Sequence, residues 1–409
     1  MSRSTGAPEQ QLPMNVGPAT RKLIVIPNDP ISRYQAKGET RERYFNPGDY
    51  FQQVHVFSLA DSDEAQEAAA IMSGGAEVFI HPLGRPGLFS WRKVIQRAES
   101  LAREIAPQAV RGYNPLFMGW LAVQLGRSCG AVSVVSVHSD YDLVRNLKIY
   151  GPGFLATTRA AYQIAHRLLG LYRTSLGGAD QVICAYRFPL GFVGRWRKEG
   201  VSVIYHRVDL DRFQPAEEVA EPGDELRILT VGRQFSGKDP GPIIRAAAGL
   251  AQARLTLVGD GPYHERLVRT AGETGCTDRI RFVRSVPHAQ IPDLYRSHDI
   301  YAQAITHPGL CIPVLEAAAS ALPVVINQPV WEDWPELVGD LAEVVPLSSD
   351  GYRRAFEKLL ADPEYRRSRG QALRRRAVEV GGDRMEQAEM ELYRRLIENR
   401  NRPKSGAGV

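Results

Sequence analysis

The chain has 409 residues, of which 44% are hydrophobic and 24% are charged. These proportions are average for a globular protein, so they exclude a disordered, collagenous or coiled-coil chain, and the length is that of two or three domains. The 51 basic and 46 acidic residues leave a formal charge of +5. This modest charge, without a DNA- or RNA-binding motif, argues against nucleic acid as a partner.

The two ends of the chain and its apolar stretches indicate the setting of the protein. Residues 1–20 and 403–409 are polar and rich in Gly, Pro and Ser, which predicts disordered tails. The longest nearly apolar stretch, residues 115–126, is shorter than the roughly 20 residues that span a bilayer. The first residues lack the apolar core of a signal peptide. Because the cysteines have no paired spacing, we expect buried thiols in a reducing cytoplasm: Cys129, Cys184, Cys276 and Cys311.

In the first half of the chain, short apolar runs alternate with helical patterns. The runs predict strands at residues 23–27, 53–57, 77–80, 132–137 and 181–184, with a further strand ending near Arg111. The patterns between them predict helices at residues 64–73, 91–105, 115–127 and 155–173. This alternation is typical of a parallel sheet covered by helices on both faces.

An acidic stretch with two prolines, residues 214–225, predicts an interdomain linker. The alternation then begins again, with strands predicted at residues 226–231, 254–258, 279–283, 300–304 and 323–326. After Asp350 the pattern is largely helical. We therefore predict an α/β protein with two doubly wound Rossmann-like domains, residues 21–206 and 207–382, which face each other across a cleft.

Two strand ends in the second domain carry features suited to a ligand, since open α/β sheets bind ligands at that edge. Gly232 follows the first of these strands and precedes Arg233 and Lys238, two cations that can grip a diphosphate. Gly259 lies in a Gly-Asp-Gly-Pro turn, where glycine permits a close backbone approach or a positive φ. Solvated cations and an ordinary turn remain the alternative interpretations.

A helix is predicted from Ile312, with a proline in its first turn. Its amino terminus would form an anion site with the preceding residues, Gly309, Leu310 and Cys311. Glu316 lies one turn into the helix and could accept hydrogen bonds from the two hydroxyls of a ribose. A glutamate with a local partner is the alternative. The backbone at Ser285 and Val286 could pair with a base edge.

Five segments follow one another along the chain: residues 203–213, 231–233 with Lys238, 258–262, 312–317 and 321–325. In this order and spacing they resemble the retaining family 4 glycosyltransferases of the GT-B fold. The resemblance covers most of residues 200–345. It implies that the last helix, residues 383–402, crosses back to pack on the first domain.

The resemblance also implies a role for each matching position. Arg233 and Lys238 would bind the donor diphosphate and neutralise the departing nucleotide, and Glu316 would bind the ribose. Backbone amides of residues 309–312 would hold the sugar or phosphate, and residues 285–287 would line the base pocket. No metal or other cofactor is expected, and we interpret Asp209 and Asp211 as part of the segment that enters the second domain.

One departure from the family pattern concerns the donor sugar. The pattern has two glutamates eight positions apart, and Pro308 stands at the first of them. Either His307 or a backbone group holds the sugar in its place, or the sugar is held differently, or activity is lost.

The first domain matches the family less clearly. In the family a glycine-containing loop follows the first strand and faces the cleft, which implies that Gly38 approaches the donor or the acceptor. His138 ends a strand where the family often places a histidine against the donor sugar. Asp140 would position it or cap the next segment, while Arg111 and Asn114 could face the acceptor.

The predicted reaction moves a hexosyl unit from a nucleotide-diphosphate sugar to an acceptor hydroxyl, with retention at the anomeric carbon. A UDP-sugar is the first choice and a GDP-sugar the second. The acceptor is a lipid-linked or cell-surface glycan, as in polysaccharide biosynthesis, or a small metabolite. A non-catalytic nucleotide-sugar-binding relative and a sugar-nucleotide epimerase or phosphorylase are the alternatives. Basic and aromatic segments at residues 89–93, 159–173 and 188–198 suit either a solvated face or peripheral attachment to the anionic inner face of the cell membrane.

Overall fold

The computed structural model describes residues 20–37, 39–87, 89–139, 141–142, 154–216, 225–306, 311–328 and 335–402. The predicted tails therefore lie almost wholly outside the described residues, as do positions 217–224 of the predicted linker. Over the described residues, no helix combines the length and the apolar character needed to cross a bilayer.

The first sheet has seven parallel strands in the order β3-β2-β1-β4-β5-β6-β7. They are β1 Lys22–Ile26, β2 Gln53–Ser58, β3 Glu77–Pro82, β4 Ala109–Gly112, β5 Val132–Val137, β6 Gln181–Cys184 and β7 Val201–Val203. Its helices are α1 Ile31–Ala36, α2 Gln66–Ser73, α3 Trp91–Ile105, α4 Phe117–Cys129, α5 Phe154–Leu168, α6 Leu171–Ser175 and α7 Leu190–Val193. The central strands are buried on both faces, which explains why they appear in the sequence as continuous apolar runs.

The second sheet has six parallel strands in the order β10-β9-β8-β11-β12-β13. They are β8 Leu226–Val231, β9 Ala253–Val258, β10 Ile280–Val283, β11 Ile300–Gln303, β12 Val324–Asn327 and β13 Glu343–Val345. The helices are α8 Gly241–Ala248, α9 His264–Glu273, α10 Ile291–Arg296, α11 Ile312–Ala319, α12 Ser349–Ala361, α13 Pro363–Val380 and α14 Gly382–Asn401. The strand order reverses between β1 and β4 and between β8 and β11, and ligands bind at such reversals in open α/β sheets.

Two local predictions were wrong, and two strands were missed. The helix predicted over residues 155–173 is two helices, because Gly170 adopts a left-handed φ of 67° between α5 and α6. The segment after the first strand, where a glycine-containing loop was expected, begins with the six residues of α1. The edge strands β7 and β13 were not predicted, since each has three residues.

The final helix crosses back to the first domain, which confirms the predicted fold. Leu392, Tyr393 and Ile397 of α14 are buried in the core of the first sheet, and the Tyr393 ring meets Phe51 at a centroid distance of 5.1 Å. Glu386 on the same helix forms ion pairs with Arg43 and Arg207 at 3.1 and 3.2 Å.

The chain crosses from one domain to the other twice, and the two crossing segments are in contact. The amide of Gly382, at the start of α14, donates to the carbonyl of Val208 at 3.1 Å. A Cβ on Gly382 would lie 2.6 Å from that carbonyl oxygen, so a side chain at this position would force the two crossing segments apart.

Candidate functional site

A cleft with about 1060 Å³ of open volume lies between the two sheets. Both domains and the final helix line it. The structure brings together four of the predicted site residues here: Arg111, His138, Ile312 and Glu316. Gly232, Arg233 and Lys238 line a smaller recess at the carboxyl end of β8.

The loop after β8 presents two cations, Arg233 and Lys238. Arg233 is exposed and Lys238 half-buried, and within the described residues neither side chain makes a hydrogen bond or an ion pair. Gly232 has a φ of 150°, and a Cβ at this position would lie 3.7 Å from Cδ of Lys238. The lysine therefore folds back along the glycine at the strand end.

This loop is fixed to the segment that leads towards α11. The Lys238 amide donates to the carbonyl of Phe235 at 2.8 Å, which closes a tight turn. Thr306 binds the turn twice: its amide donates to Gly237 at 3.1 Å and its hydroxyl donates to Ser236 at 3.2 Å. The cation loop and the chain that approaches α11 are thus held side by side.

Gly259 has a packing role in addition to any ligand contact. A Cβ at Gly259, which has a φ of 133°, would lie only 2.1 Å from the Gly232 carbonyl oxygen. The side-chain amide of Gln234 donates to the Gly259 carbonyl at 2.8 Å and so joins the loops after β8 and β9. The close approach predicted for this glycine is an approach to the protein's own backbone.

Glu316 lies half-buried in α11, held by a tyrosine from α10. The Tyr295 hydroxyl donates to Glu316 Oε2 at 2.9 Å and to the Pro313 carbonyl at 3.2 Å. Burial raises the pKa of Glu316, against the opposing effects of Arg41, the Tyr295 hydrogen bond and Arg212. The contact between Tyr295 and Glu316 joins two separate helices, α10 and α11, so no local sequence pattern indicates it.

The remaining predicted residues of the second domain are placed as follows. Cys311 is buried at the N-cap of α11. Ser285 is exposed, while Val286 packs on the core of the second domain. His307, Gly309 and Leu310, together with Pro308, lie outside the described residues, as do Gly38 and Asp140 of the first domain.

His138 belongs to a stack of rings on the first-domain wall of the cleft. Its ring lies between Tyr113 and His206, at centroid distances of 5.7 and 5.2 Å. Neither ring nitrogen has a hydrogen-bond partner among the described residues. Burial, together with Arg111 and Arg41, lowers the pKa of His138 to about 3, so the imidazole is neutral at physiological pH. His206, which also lines the cleft, was not predicted as a site residue, although it falls in the segment of residues 203–213.

The two candidate acceptor residues of the first domain are engaged within the fold. The Arg111 guanidinium donates to Ser136 Oγ at 2.9 Å and pairs with Glu389 of α14. Asn114 does not line the cleft: its amide donates to Asn28 at 2.6 Å and its carbonyl accepts from the Leu116 amide. Both residues lie where the strand order of the first sheet reverses, and there they hold neighbouring segments together.

Arg41 is a cleft residue that was not predicted. Its half-buried side chain lines the cleft and makes no hydrogen bond or ion pair within the described part of the chain. It acts on Glu316 across the cleft, where its charge lowers the pKa of the carboxyl group. Its position in an irregular segment gave no periodic signal that could have marked it.

The Asp209-Asp211 pair forms a turn. Asp209 Oδ1 accepts from the amides of Asp211 and Arg212, both at 3.1 Å. In the chain as far as the structure describes it, no three His, Cys, Asp or Glu side chains come together to hold a metal ion.

Comparison with known proteins bears on the part of the chain that carries the cation loop and Glu316. Residues 211–376 match the family model described as glycosyl transferases group 1. The match covers the second sheet and leaves the first domain and the whole of α14 outside it.

Two curated relatives align with less than half of the chain. A GDP-mannose-dependent alpha-(1-6)-phosphatidylinositol monomannoside mannosyltransferase of Mycolicibacterium smegmatis is 29% identical over 191 residues, 42% of this chain and 50% of the relative. A D-inositol 3-phosphate glycosyltransferase of the same organism is 32% identical over 137 residues, 31% of each chain. The chain thus spans about half, or less, of the relatives' length.

Solved structures match nearly the whole chain. Anabaena HepE in complex with UDP has a TM-score of 0.68 at 16% identity, covering 91% of this chain and 98% of its own. Sucrose-phosphate synthase from Thermosynechococcus elongatus has a TM-score of 0.68 at 18% identity, covering 93% and 100%. The two-sheet architecture is that of GT-B glycosyltransferases, as the sequence predicted.

Proposed function

We propose that this protein is a retaining glycosyltransferase that moves a hexosyl unit from a nucleotide-diphosphate sugar to an acceptor hydroxyl. One observation carries the proposal: Arg233 and Lys238, two cations whose side chains have no partner among the described residues, lie at the carboxyl end of β8 on a loop fixed beside the approach to α11. The family match over residues 211–376 and the glycosyltransferase relatives support it.

The proposed donor site lies in the second domain. Negative charge builds on the phosphate of the departing nucleotide, and Arg233, Lys238 and the positive end of α11 stabilise it. Glu316 accepts hydrogen bonds from the ribose hydroxyls, while Tyr295 fixes the orientation of its carboxylate. Solved complexes of HepE with UDP and with UDP-glucose support a UDP-sugar, and the mannosyltransferase relative supports a GDP-sugar as the second choice.

The proposed acceptor enters from the first domain. His138 lines the cleft, is neutral and has no partner for either ring nitrogen among the described residues, so it offers one hydrogen-bond donor and one acceptor to the transferred sugar. Arg41 adds a positive charge to the same wall. The leaving phosphate helps to remove the proton of the acceptor hydroxyl, which attacks from the face on which the nucleotide leaves. Closure of the cleft would exclude water and limit hydrolysis of the donor.

The alternative is a subunit that binds a nucleotide sugar without transferring it, and it rests on Pro308 at the position of the family's first glutamate. A panel of UDP-, GDP- and ADP-sugars, followed by nucleotide release, tests the choice. We expect release from one donor class, and release slower by at least about thirtyfold in a variant with Lys238→Ala. Tight nucleotide binding without release from any donor would overturn the transferase and favour the binding subunit.

We also propose a peripheral position on the anionic inner face of the cell membrane, with the acceptor carried by a lipid or a surface glycan. Phe89 is 91% exposed and Trp91 42% exposed, next to the exposed cations Arg92 and Lys93. Such a mixture suits an interfacial helix. Sedimentation with phosphatidylglycerol vesicles should fall after Phe89→Ser with Trp91→Ser, and unchanged sedimentation would overturn this proposal.

A further inference from the structure

A second cavity, with about 1670 Å³ of open volume, lies at the edge of the second sheet opposite the cation loop. It is bounded by residues just before β11 and β12 and by one face of α13. We call it the basic groove, after the six arginines that line it: Arg227, Arg296, Arg366, Arg367, Arg374 and Arg375.

The basic groove has far more positive than negative charge. Its one lining carboxylate, Asp299, is occupied by Arg227, which donates to it with Nε and Nη2 at 3.0 and 2.8 Å. Among the described residues, the four arginines of α13 that line the groove form no ion pair with any carboxylate. Arg374 donates instead to the carbonyls of Phe213 and Ala319, at 2.8 and 2.6 Å. The described residues of the groove therefore do not balance the positive charge of this face.

The arginines are arranged around a point of close contact between α13 and the end of α11. A Cβ on Gly370 would lie 2.0 Å from the Ala321 carbonyl oxygen, so the glycine lets the helix lie directly against this turn. One arginine pair precedes Gly370 by a turn and the other follows it by a turn. Arg367 and Arg375 are eight residues apart, about 12 Å along the helix.

A buried hydroxyl at the same place also has no partner. Ser320 lines the basic groove and is 4% exposed, and its Oγ makes no hydrogen bond within the described residues. Burial and like-charged neighbours lower the pKa of Arg366, and burial lowers that of Arg374, since both effects disfavour the charged form. An anion in the groove would give the Ser320 hydroxyl a hydrogen-bond acceptor, and it would stabilise the charged forms of Arg366 and Arg374.

We propose that the basic groove binds a small anion that carries two or more phosphate groups. Guanidinium groups grip phosphate oxygens in pairs, and two arginine pairs on either side of one glycine suit phosphates that are linked to each other. The concave shape and the buried Ser320 hydroxyl favour a small molecule over a flat surface. The inference does not rest on the proposed transferase activity, because the groove and the cation loop lie at opposite edges of the sheet.

The test is calorimetric titration of inorganic triphosphate into the full-length protein carrying Lys238→Ala, which weakens the competing site in the cleft. We expect saturable binding that weakens at least tenfold when Arg367→Gln and Arg375→Gln are added. The matched control adds Arg269→Gln and Arg354→Gln, two exposed arginines of the same domain outside the groove, and should change the affinity less than twofold. Equal binding in both variants, or equal weakening in both, would overturn the proposal. Thermal unfolding of each variant checks that it is folded.

Three further measurements distinguish this ligand from other possible occupants of the groove. Inorganic phosphate that binds as tightly as triphosphate would overturn the requirement for linked phosphates. If the protein bound no triphosphate, but bound phosphatidylglycerol vesicles and lost that binding in the Arg367 and Arg375 variant, the ligand would be a membrane surface instead.

Residues 217–224 lie outside the described residues, and their sequence contains four carboxylates, at Glu217, Glu218, Glu221 and Asp224. A tenfold gain in triphosphate affinity when these four become Gln or Asn would identify the chain's own acidic segment as the occupant and overturn an external ligand.

Discussion

The carboxyl-terminal edges of the two sheets differ in how their positive charges are balanced. In the first domain, Arg111 is buried and paired with Glu389 of α14. In the second, Arg233 and Lys238 meet no carboxylate in the part of the chain that the structure describes. A cation at a strand end can therefore have two different uses. It can hold a distant helix in place, or it can remain available to an anionic ligand.

The largest effect is expected when the ion pair between Arg111 and Glu389 is broken. Glu389→Gln should lower the free energy of unfolding by about 3–5 kcal/mol, because it leaves the buried Arg111 guanidinium without its counter-charge. Urea unfolding measures the change. Glu391→Gln is the matched control on an exposed position of the same helix, and it should change stability little. If the two variants were equally stable, Arg111 would not depend on α14.

The second largest effect is expected at Lys238, a cation of the second domain that meets no carboxylate among the described residues. Lys238→Ala should cost roughly 2–4 kcal/mol of transition-state stabilisation, a fall of about 30- to 900-fold in kcat/KM, if the ammonium group serves as a preorganised electrostatic group. Steady-state kinetics with the preferred donor measures it. Lys198→Ala, on an exposed segment of the first domain, is the control. Turnover that stays unchanged after Lys238→Ala would remove this lysine from the site.

A smaller effect is expected at the proposed ribose position. Glu316→Ala should weaken nucleotide binding by about 1.5–3 kcal/mol, since hydrogen bonds to a charged group are lost. Tyr295→Phe should weaken it less, because it removes only one of the groups that orient the carboxylate. Titration with UDP and with GDP measures both variants against Glu357→Ala, an exposed glutamate on α12. Equal losses at Glu316 and Glu357 would contradict the ribose assignment.

The smallest effect concerns pH and the neutral ring of the first-domain wall. Unfolded His138 takes up a proton near its ordinary pKa of 6.5, whereas the folded residue does so only near pH 3. The unfolded chain therefore binds more protons in this window, and His138 reduces stability by up to about 1.4 kcal/mol per pH unit as the pH falls from 6.5 towards 3. His138→Gln should remove that part of the slope in urea unfolding at pH 7, 6 and 5. The same slope in both proteins would mean that His138 titrates normally when folded.

Much of the fold could be predicted because its strands are buried on both faces. β5, β6 and β8 coincide with the apolar runs that predicted them, and their residues are almost wholly buried. β7 and β13 could not be predicted in this way, since strands of three residues at a sheet edge leave no periodic pattern. One glycine in a left-handed conformation was enough to divide the helix predicted over residues 155–173.

In the candidate site, too, the residues that stand in a local sequence pattern could be predicted, and those that depend on long-range contacts could not. Arg233, Lys238 and Glu316 could be singled out because each stands in a local pattern, a strand end or the first turns of a helix. The partner of Arg111 could not, because Glu389 lies 278 residues further along the chain. Tyr295, His206 and Arg41 reach the cleft or its glutamate through tertiary packing, and nothing in their sequence neighbourhood indicates it.

The contact between Gly382 and Val208 limits how the two halves of the molecule can move. Both crossing segments of the chain lie against each other at this point, so neither can swing without bending the other. A rotation of one sheet relative to the other would therefore disturb this contact least if its axis passed close to it. A bulky side chain in place of Gly382 would act as a wedge at the pivot, changing the angle between the halves while leaving each sheet intact.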